Sequence, residues 1–421
     1  MHHFAPRDGH LHAEDVPLAT IAAHVGTPTY VYSRATLERH WHAMDAALAA
    51  VPHTICYSVK ACSNLAVLQV LADLGSGFDI VSSGELERVL RAGGDPAQTV
   101  FSGVGKRDDE IALALRHGLL SLNVESTGEL ARIEKVAAAV GVRAPISLRV
   151  NPEVDPGTHP YIATGLRTSK FGIAIGDALD LYRTAAASRH LHVVGIDSHI
   201  GSQILDLAPL TEAIDKVLAL VGKLARAGIA LHHIDIGGGL GIAYRDEATV
   251  TPAELGRHVC ERVRAVGLHL IVEPGRMIAG NAGILLARVV GTKTNGAKRF
   301  VILDAAMNDL IRPALYDAFH AIVPIVSPLD ASLETVDVVG PVCESGDFLA
   351  RDRPLPRLEQ GELVAVLGCG AYGFSMASTY NSRPRAAEVL VDGAAWHVVR
   401  DRETVEDLWR GERVLPARPG R

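Results

Sequence analysis

The stretch from residue 54 to residue 92 reads TICYSVKACSNLAVLQVLADLGSGFDIVSSGELERVLRA and decides the fold. A short apolar run rich in β-branched residues, Thr54–Lys60, precedes an amphipathic stretch, Asn64–Leu74. The same succession follows at once in Gly77–Ser82 and Gly84–Ala92. Strands that alternate with helices in this way predict a parallel sheet.

The alternation continues towards the C-terminus until about residue 280. Eight apolar runs in all are candidate strands: Thr54–Lys60, Gly77–Ser82, Thr99–Gly103, Ser121–Ser126, Ile146–Asn151, Val193–His199, His233–Gly238 and Leu268–Glu273. Helical stretches separate them, such as Thr127–Val140 and Pro209–Ala227. Eight repeats over roughly 220 residues fit a closed (β/α)8 barrel. An open, doubly wound parallel sheet is the alternative.

Beyond residue 280 helical periodicity fades, except near Thr404–Gly411, and a mainly antiparallel β domain is expected. Residues 27–33 (TPTYVYS) resemble a strand that crosses over to join it, and Asp352–Pro356 resembles a loop. The predicted division is a barrel over residues 34–280 and a β domain formed by residues 1–33 and 281–421. The candidate strands of the β domain are Gly283–Thr292, Arg299–Asp304, Thr335–Pro341, Glu362–Leu367 and Glu388–Val391.

Composition narrows the class of protein. The 421 residues are 48% apolar and 21% charged, with a net charge of -7, which disfavours a nucleic-acid or anionic-membrane surface. No apolar run approaches the roughly 20 residues that cross a bilayer, and the start has no signal-peptide core. The five cysteines show neither metal-ligand nor disulfide spacing. We therefore expect a cytoplasmic protein without a bound metal.

The first candidate for chemistry is Lys60, at the end of the first barrel strand. Active sites of (β/α)8 barrels lie at the C-terminal ends of the strands. Desolvation there would lower the pKa of Lys60 and free its amine as a nucleophile for a Schiff base. The alternative is a solvated lysine at a strand end.

Three further strand ends carry functional side chains. In HIDIGGGLGI (233–242) consecutive glycines allow backbone N–H groups to crowd a phosphate, although a plain tight turn has the same pattern. In VEPGR (272–276) Glu273 and Arg276 would project into the mouth of the barrel. A carboxylate there could keep the nitrogen of a bound pyridine ring protonated. The alternative is a buried ion pair between the two side chains. In DSHIGSQ (197–203) His199 offers a ring for stacking and Ser202 a hydroxyl for phosphate, unless the histidine is structural.

The β domain contributes weaker signals. Cys343 and Glu344 are adjacent in VCESGD, where a thiol could act as an acid and a carboxylate could bind an ammonium. Arg312 and Tyr316 lie four residues apart and would share a helix face, where they could grip a carboxylate. Tyr372, in GCGAYGFSM, is expected on a tight loop between glycines. Each of these patterns also fits an ordinary surface or core residue.

Taken in order, the motifs resemble the fold-type-III pyridoxal-phosphate decarboxylases and, within them, the diaminopimelate decarboxylases. The motifs span residues 57 to 373: YSVKA, GFDIVSSGE, NPEVDPGTHPYIATGLRTSKFGI, HIGSQ, DIGGGLGI, EPGR, RPALY, CESGD and GAYG. The resemblance implies an alanine-racemase-like barrel, followed by an antiparallel β-barrel or sandwich. It also implies a head-to-tail homodimer with shared active sites, a pyridoxal 5'-phosphate cofactor and an amino-acid substrate.

Residue roles are carried over motif by motif. Lys60 resembles the lysine that binds the cofactor covalently, His199 the ring that stacks on it, and Glu273 the partner of its ring nitrogen. Cys343 resembles the acid that delivers a proton after carbon dioxide leaves, acting with Glu344 in the partner subunit's site. The remaining cofactor contacts implied are Asp79, Glu85, Ser202, Gly238, Gly239, Pro274, Gly275, Arg276 and Tyr372. Substrate contacts are implied for Arg276, Arg312, Tyr316, Glu344 and Tyr372.

The expected reaction is decarboxylation of meso-2,6-diaminopimelate to L-lysine, the last step of lysine biosynthesis. The far end of this substrate has a carboxylate, which suits arginine and tyrosine, and an ammonium, which suits Glu344. The alternatives are a related decarboxylase for a carboxylated polyamine precursor or a carrier-bound amino acid, a racemase of the same cofactor fold, and a non-catalytic regulatory protein. A racemase would be expected to have an arginine in place of Glu273, and a regulatory protein to have lost Lys60 or Cys343.

Overall fold

The computed structural model describes residues 2–155, 157, 164, 169–326 and 332–416. The chain divides into two compact units. The first unit comprises Met1–His3, Ser33–Gly283 and Gly370–Ser375, and the second comprises Phe4–Tyr32, Ile284–Cys369 and Met376–Arg421.

The N-terminal segment forms short elements of the second unit. Three strands make a small antiparallel sheet: β1 (Phe4–Arg7), β2 (His10–Ala13) and β3 (Val16–Pro17). Helix α1 (Leu18–Val25) and strand β4 (Thr29–Ser33) follow.

The first unit is built on a closed parallel barrel. Eight strands pair in a ring, with β8 hydrogen-bonded to β9 and β13 to β5. The strands of the ring are β5 (His53–Ser58), β6 (Gly77–Ile80), β7 (Thr99–Phe101), β8 (Ser121–Val124), β9 (Ala144–Asn151), β11 (Leu191–Asp197), β12 (His233–Asp235) and β13 (His269–Val272). A short strand outside the ring, β10 (Ile173–Ala174), pairs with β9. The predicted (β/α)8 barrel is confirmed, and the open sheet is excluded because the ring closes.

Helices precede, connect and follow the barrel strands along the chain: α2 (Arg34–Leu48), α3 (Leu65–Asp73), α4 (Ser83–Arg91), α5 (Asp108–His117), α6 (Thr127–Val140), α7 (Ala178–Ala187), α8 (Leu207–Arg226), α9 (Pro252–Val266) and α10 (Arg276–Ala279). Side chains at their starts fix several of them. Asn64, Ser82 and Ser126 each accept a backbone N–H of the helix that follows, which satisfies a donor that the first turn leaves unpaired. None of the helices in the described part of the chain combines the length and apolar character of a membrane span.

The second unit contains a large mixed sheet. Its strands are β4, β14 (Gly283–Asn295), β15 (Lys298–Leu303), β16 (Ile322–Pro324), β17 (Leu333–Val339), β18 (Phe348–Pro356), β19 (Leu363–Val366), β20 (Ala387–Asp392) and β21 (Ala395–Arg400). Their main order is β18-β17-β15-β14-β4-β20-β21, and β19 pairs with β14 and β16. Most resolved pairings are antiparallel, as expected, but β15 and β17 run parallel. Two short helices, α11 (Arg312–Tyr316) and α12 (Val405–Leu408), also belong to this unit.

Two features of this sheet bear on the sequence expectations. The segment at residues 27–33 does cross over, because β4 lies between β14 and β20. The expected loop at Asp352–Pro356 was wrong, because these residues end strand β18. Strand β18 is an edge strand of the sheet, and an edge tolerates Pro354 and Pro356 on its unpaired side.

Candidate active site

A cavity opens at the C-terminal ends of the barrel strands. It is lined by most of the candidate cofactor residues: Lys60, His199, Ser202, Gly238, Gly239, Glu273, Pro274, Gly275, Arg276 and Tyr372. They come from distant parts of the first unit, and the parallel strands bring them together because all of those strands end on the same face.

Lys60 lies just after β5 and is paired with a buried carboxylate. Its Nζ donates to Oδ2 of Asp79, at the end of β6, at 2.5 Å, and the hydroxyl of Ser58 donates to the same oxygen at 2.8 Å. The Lys60 side chain is 37% exposed while that of Asp79 is fully buried. The amine of Lys60 therefore has access to the cavity, while Asp79 is buried and held by the Ser58 hydroxyl.

The charge state of Lys60 differs from the sequence expectation. Burial lowers the pKa of Lys60, but the carboxylates of Asp79 and Glu273 outweigh it, and the net pKa is raised above the ordinary value of 10.5. Desolvation alone therefore does not free this amine. The neighbouring acids must be neutralised or must accept its proton before it can act as a nucleophile.

The glycine turn after β12 is tightly packed against its neighbours. A Cβ on Gly238 would lie 2.1 Å from the carbonyl oxygen of Glu273, and one on Gly239 would lie 2.5 Å from that of Gly201. Gly237 and Gly239 have φ values of +68° and +115°, in the region that side chains avoid. The turn therefore requires glycine, because its backbone packs directly against Glu273 and Gly201.

His199 packs beside this turn. Its Nδ1 accepts the N–H of Gly238 at 3.1 Å. Burial, followed by the positive charges of Arg149 and Lys60, holds the pKa of His199 well below its usual value. The imidazole is therefore neutral and offers a flat, uncharged face to the cavity.

Arg276 links several groups of the cavity. Its guanidinium donates to the Ser202 hydroxyl at 3.2 Å and to the Tyr244 hydroxyl at 2.7 Å. The same guanidinium lies 5.0 Å from the centre of the Tyr372 ring, within the range of a cation–π contact. Tyr372 adopts φ +57° and its N–H donates to Ala61 at 2.8 Å, so it is presented on a tight loop. A hydroxyl and an arginine thus converge at one end of the cavity.

Glu273 belongs to a buried group of three acids. Carboxylate oxygens of Asp197, Asp235 and Glu273 lie within 4.8 Å of one another. Burial and then the charge of Asp235 raise the pKa of Glu273 well above its usual value, and the pKa of Asp197 is raised for the same reasons. Three buried carboxylates cannot all ionise at this distance, so the group holds protons near neutral pH. Glu273 can therefore present a proton to a basic atom in the cavity.

In the second unit the two predicted pairs each remain adjacent. Arg312 and Tyr316 lie on α11, with Arg312 buried and Tyr316 half-buried. Cys343 and Glu344 are exposed on the loop between β17 and β18. Exposure leaves both side chains able to meet a ligand or a second chain.

Comparison with known proteins decides the family. A family model described as the pyridoxal binding domain of pyridoxal-dependent decarboxylases matches residues 34–280. The diaminopimelate decarboxylases of Vibrio cholerae and Pseudomonas aeruginosa are each 56% identical to this chain. These alignments cover 97% and 98% of this chain and 98% and 99% of the relatives.

This chain belongs to the diaminopimelate decarboxylase family. A solved structure agrees. Diaminopimelate decarboxylase from Helicobacter pylori complexed with L-lysine superposes with a TM-score of 0.90 at 44% identity, covering 93% of this chain and 98% of that one.

Two of the cofactor contacts that the family resemblance implied lie outside the cavity lining. Asp79 is fully buried and acts on the cavity through Lys60. Glu85 accepts the N–H of Val81 at 2.7 Å, and burial raises the pKa of Glu85 to about 7. The proposed roles of both in supporting the cofactor stay predictions.

Some residues that act on the cavity were not predicted from the sequence. Asp197 and Asp235 share the buried group with Glu273, and Tyr244 contacts Arg276. A signal for the two acids was present, because each stands at the end of an otherwise apolar strand, in GID and HID. Part of the motif NPEVDPGTHPYIATGLRTSKFGI and most of the loop 159–170 lie outside the described residues.

Proposed function

We propose that this chain uses pyridoxal 5'-phosphate to decarboxylate meso-2,6-diaminopimelate to L-lysine and carbon dioxide, the last step of lysine biosynthesis. One observation carries the proposal. An amine, an acid with a raised pKa, a neutral imidazole, a glycine turn and an arginine–serine pair all line one cavity. The names of the relatives in the family support the same reaction.

The residues of the cavity suit the chemical groups of this cofactor. Lys60 offers the amine for its aldehyde, and Glu273 a proton for its ring nitrogen. Ser202, Arg276 and the glycine turn offer donors for its phosphate. Because Gly238 and Gly239 carry no Cβ, this turn packs directly against the main chain of Glu273 and Gly201. When bound, such a cofactor supplies an electron sink for the bond that loses carbon dioxide.

The protein's own residues would then direct the reaction. His199, held neutral, would offer its ring for stacking without adding a charge. Glu273 would hold a proton for the ring nitrogen, where the racemase alternative would call for an arginine. Asp79 holds the amine of Lys60 at the cavity and is placed to take up its proton.

Most of the proposed substrate contacts belong to the second unit. Arg312 and Tyr316 would bind the far carboxylate of diaminopimelate, and Glu344 its far ammonium, with Arg276 and Tyr372 also near the substrate. Cys343 would donate the proton that replaces the lost carboxylate. We further propose a cytoplasmic homodimer in which Cys343 and Glu344 serve the site of the partner subunit.

The test of the reaction is to mix the purified protein with pyridoxal phosphate and meso-diaminopimelate and to measure L-lysine. L-Lysine and L-ornithine are the control substrates, because neither has a far carboxylate to pair with Arg312. Sites built around polar groups reject analogues that lack them by up to about 10⁴-fold. If L-lysine is turned over as fast as diaminopimelate, the proposed substrate is wrong, and the chain is another decarboxylase of this fold.

A mixing experiment tests the shared site. Lys60→Ala and Cys343→Ala homodimers should each retain only residual activity, and subunit exchange should restore about a quarter of wild-type activity, because half of the dimers then contain one intact site. No recovery despite proven exchange would place Lys60 and Cys343 in the site of one chain.

A further inference from the structure

The loop that carries Cys343 and Glu344 is anchored by a buried side chain, that of Asp347. Asp347, which is 4% exposed, accepts the N–H of Val342 at 2.7 Å through Oδ2 and that of Met307 at 2.7 Å through Oδ1. The N–H of Glu344 donates to the carbonyl of Val342 at 2.8 Å. These contacts fix the two ends of the loop but leave the N–H of Cys343 pointing elsewhere.

That N–H is bound by a side chain far along the sequence. Oδ1 of Asn381 accepts the N–H of Cys343 at 2.7 Å, across 38 residues of sequence. Both residues are exposed, so burial does not explain why the contact forms. The hydrogen bond holds the tip of the loop to the turn Tyr380–Ser382.

The backbone of this turn limits which residue can stand there. Asn381 has φ +57° and Ser382 φ +54°, a region that asparagine, aspartate and glycine tolerate better than other residues. Asparagine therefore combines the required backbone conformation with a neutral hydrogen-bond acceptor. Glycine would adopt the same conformation but would have no side-chain acceptor.

The preceding residue contacts the second functional side chain of the loop. A hydrogen bond with Glu344, together with its negative charge, raises the pKa of Tyr380 above its ordinary value of 10.0. Asn381 thus holds Cys343 by its backbone, and the neighbouring Tyr380 interacts electrostatically with the Glu344 carboxylate.

We infer that Asn381 is a positioning residue for the decarboxylation, and that it sets the direction of the Cys343 thiol by fixing the backbone N–H of that residue. The inference rests on the proposed role of Cys343 as proton donor. If the Cys343 thiol is displaced by a fraction of an ångström, the rate of proton donation falls, while the cofactor and the barrel cavity are unchanged.

The test compares two glycine substitutions in the full-length enzyme with its cofactor. Asn381→Gly removes the acceptor and keeps the backbone, and Ser382→Gly makes the same backbone change next door. The Ser382 side chain has no hydrogen-bond partner among the described residues. Asn381→Gly should lower kcat by about 10-fold to 100-fold, the range for a misplaced catalytic group, with unchanged cofactor absorbance. Ser382→Gly should leave kcat at the wild-type value.

Two further measurements separate positioning from general loosening. Amide hydrogen exchange at Cys343 should speed up in Asn381→Gly and not in Ser382→Gly. In a Cys343→Ala background, Asn381→Gly should cause no further loss of kcat, because residues that act as a unit are not additive. Wild-type kcat in Asn381→Gly, equal losses in both glycine variants, or a full further loss in the Cys343→Ala background would each overturn the inference.

The outcome for Cys343 alone distinguishes the two proposals. If Cys343→Ala keeps full turnover, the proposed proton donor is wrong and the positioning role falls with it, even where hydrogen exchange confirms the bond to Asn381. If Cys343→Ala loses turnover and Asn381→Gly does not, the inference fails and the proposed function stands.

Discussion

The barrel unit contains two lysines that each contact a buried carboxylate, and they differ in almost every other respect. Lys60 donates to Asp79 at 2.5 Å and its side chain is 37% exposed. Lys106, between β7 and α5, donates to Glu129 at 3.1 Å and to two backbone carbonyls, and its side chain is fully buried. An ammonium has three N–H donors, so Lys106 has used all of them.

Their pKa values shift in opposite directions. Burial, only partly offset by Glu129 and Glu125, lowers the pKa of Lys106, whereas acids overcome burial at Lys60 and raise its pKa. A search for the lysine that loses its proton most readily would therefore choose Lys106. Geometry favours Lys60, because a nucleophile must reach a ligand and Lys106 is enclosed. Access to the cavity and the surrounding acids, more than a low pKa, favour Lys60 as the candidate nucleophile of this barrel.

The largest expected effect concerns covalent attachment. Borohydride reduction of the enzyme with pyridoxal phosphate should fix the cofactor to Lys60 and leave Lys106 unlabelled, as read by peptide mass spectrometry. Lys60→Ala should lose turnover by about 10⁵-fold or more, the scale seen when a covalent nucleophile is removed. Lys106→Met is the control and should still be labelled at Lys60. A label on Lys106 would show that Lys106, and not Lys60, binds the cofactor covalently.

The next effect is on stability. Lys106→Met would leave Glu129 buried without its cation, and breaking such a pair costs about 3–5 kcal/mol. Urea unfolding of the cofactor-free protein measures the loss. The double variant Lys106→Met/Glu129→Gln should recover part of it, because no unpaired charge is then buried. An unchanged free energy of unfolding in Lys106→Met would show that the enclosed lysine contributes nothing to the fold.

A smaller effect is expected from the acid that helps to raise the pKa of Lys60. Glu273→Gln should keep the bound cofactor but lose turnover by about 100-fold or more, the usual cost of one preorganised electrostatic contact. Absorbance of the bound cofactor and kcat measured on the same sample separate the two properties. Near-normal kcat would reduce Glu273 to a structural part of the buried acid group.

The smallest effect is a pH dependence. Because the folded pKa of Lys106 lies below 10.5, the unfolded chain binds more protons between that lowered pKa and 10.5. Its contribution therefore makes the free energy of unfolding rise with pH in this window, and Lys106→Met should flatten that rise just below pH 10.5. Lys60 has the opposite sign, since its raised pKa stabilises the fold below 10.5 and the benefit is lost as pH rises above it. A steeper rise of the unfolding free energy in Lys106→Met would contradict the sign expected for Lys106.

The sequence predicted the barrel better than the second unit, for a physical reason. Buried parallel strands are short continuous apolar runs, so β6, for example, begins at the predicted residue Gly77. Strand β18 was missed because its prolines indicate a loop, and only its position at the sheet edge makes them acceptable. Strands β1, β2 and β3 are too short to show a pattern.

The same contrast holds for the candidate site. Side chains that follow a strand, such as Lys60 and Arg276, could be placed from the sequence because barrel strands end on one face. The raised pKa of Lys60 could not, since it depends on Asp79 and Glu273, which the fold brings close. The bond between Asn381 and Cys343 also joins residues that no local pattern relates.

The glycine turn after β12 has a consequence for enzyme design. The N–H of Glu273 donates to the carbonyl of Gly237 at 2.8 Å, and Gly238 leaves no room for a side chain against Glu273. The spacing between the glycine turn and Glu273 is thus set by direct main-chain contact. Substitutions cannot stretch or shorten it without breaking the barrel. If the proposed substrate contacts are correct, a designer who wants another substrate should keep this spacing and vary the short helix Arg312–Tyr316 and the loop at Cys343 instead.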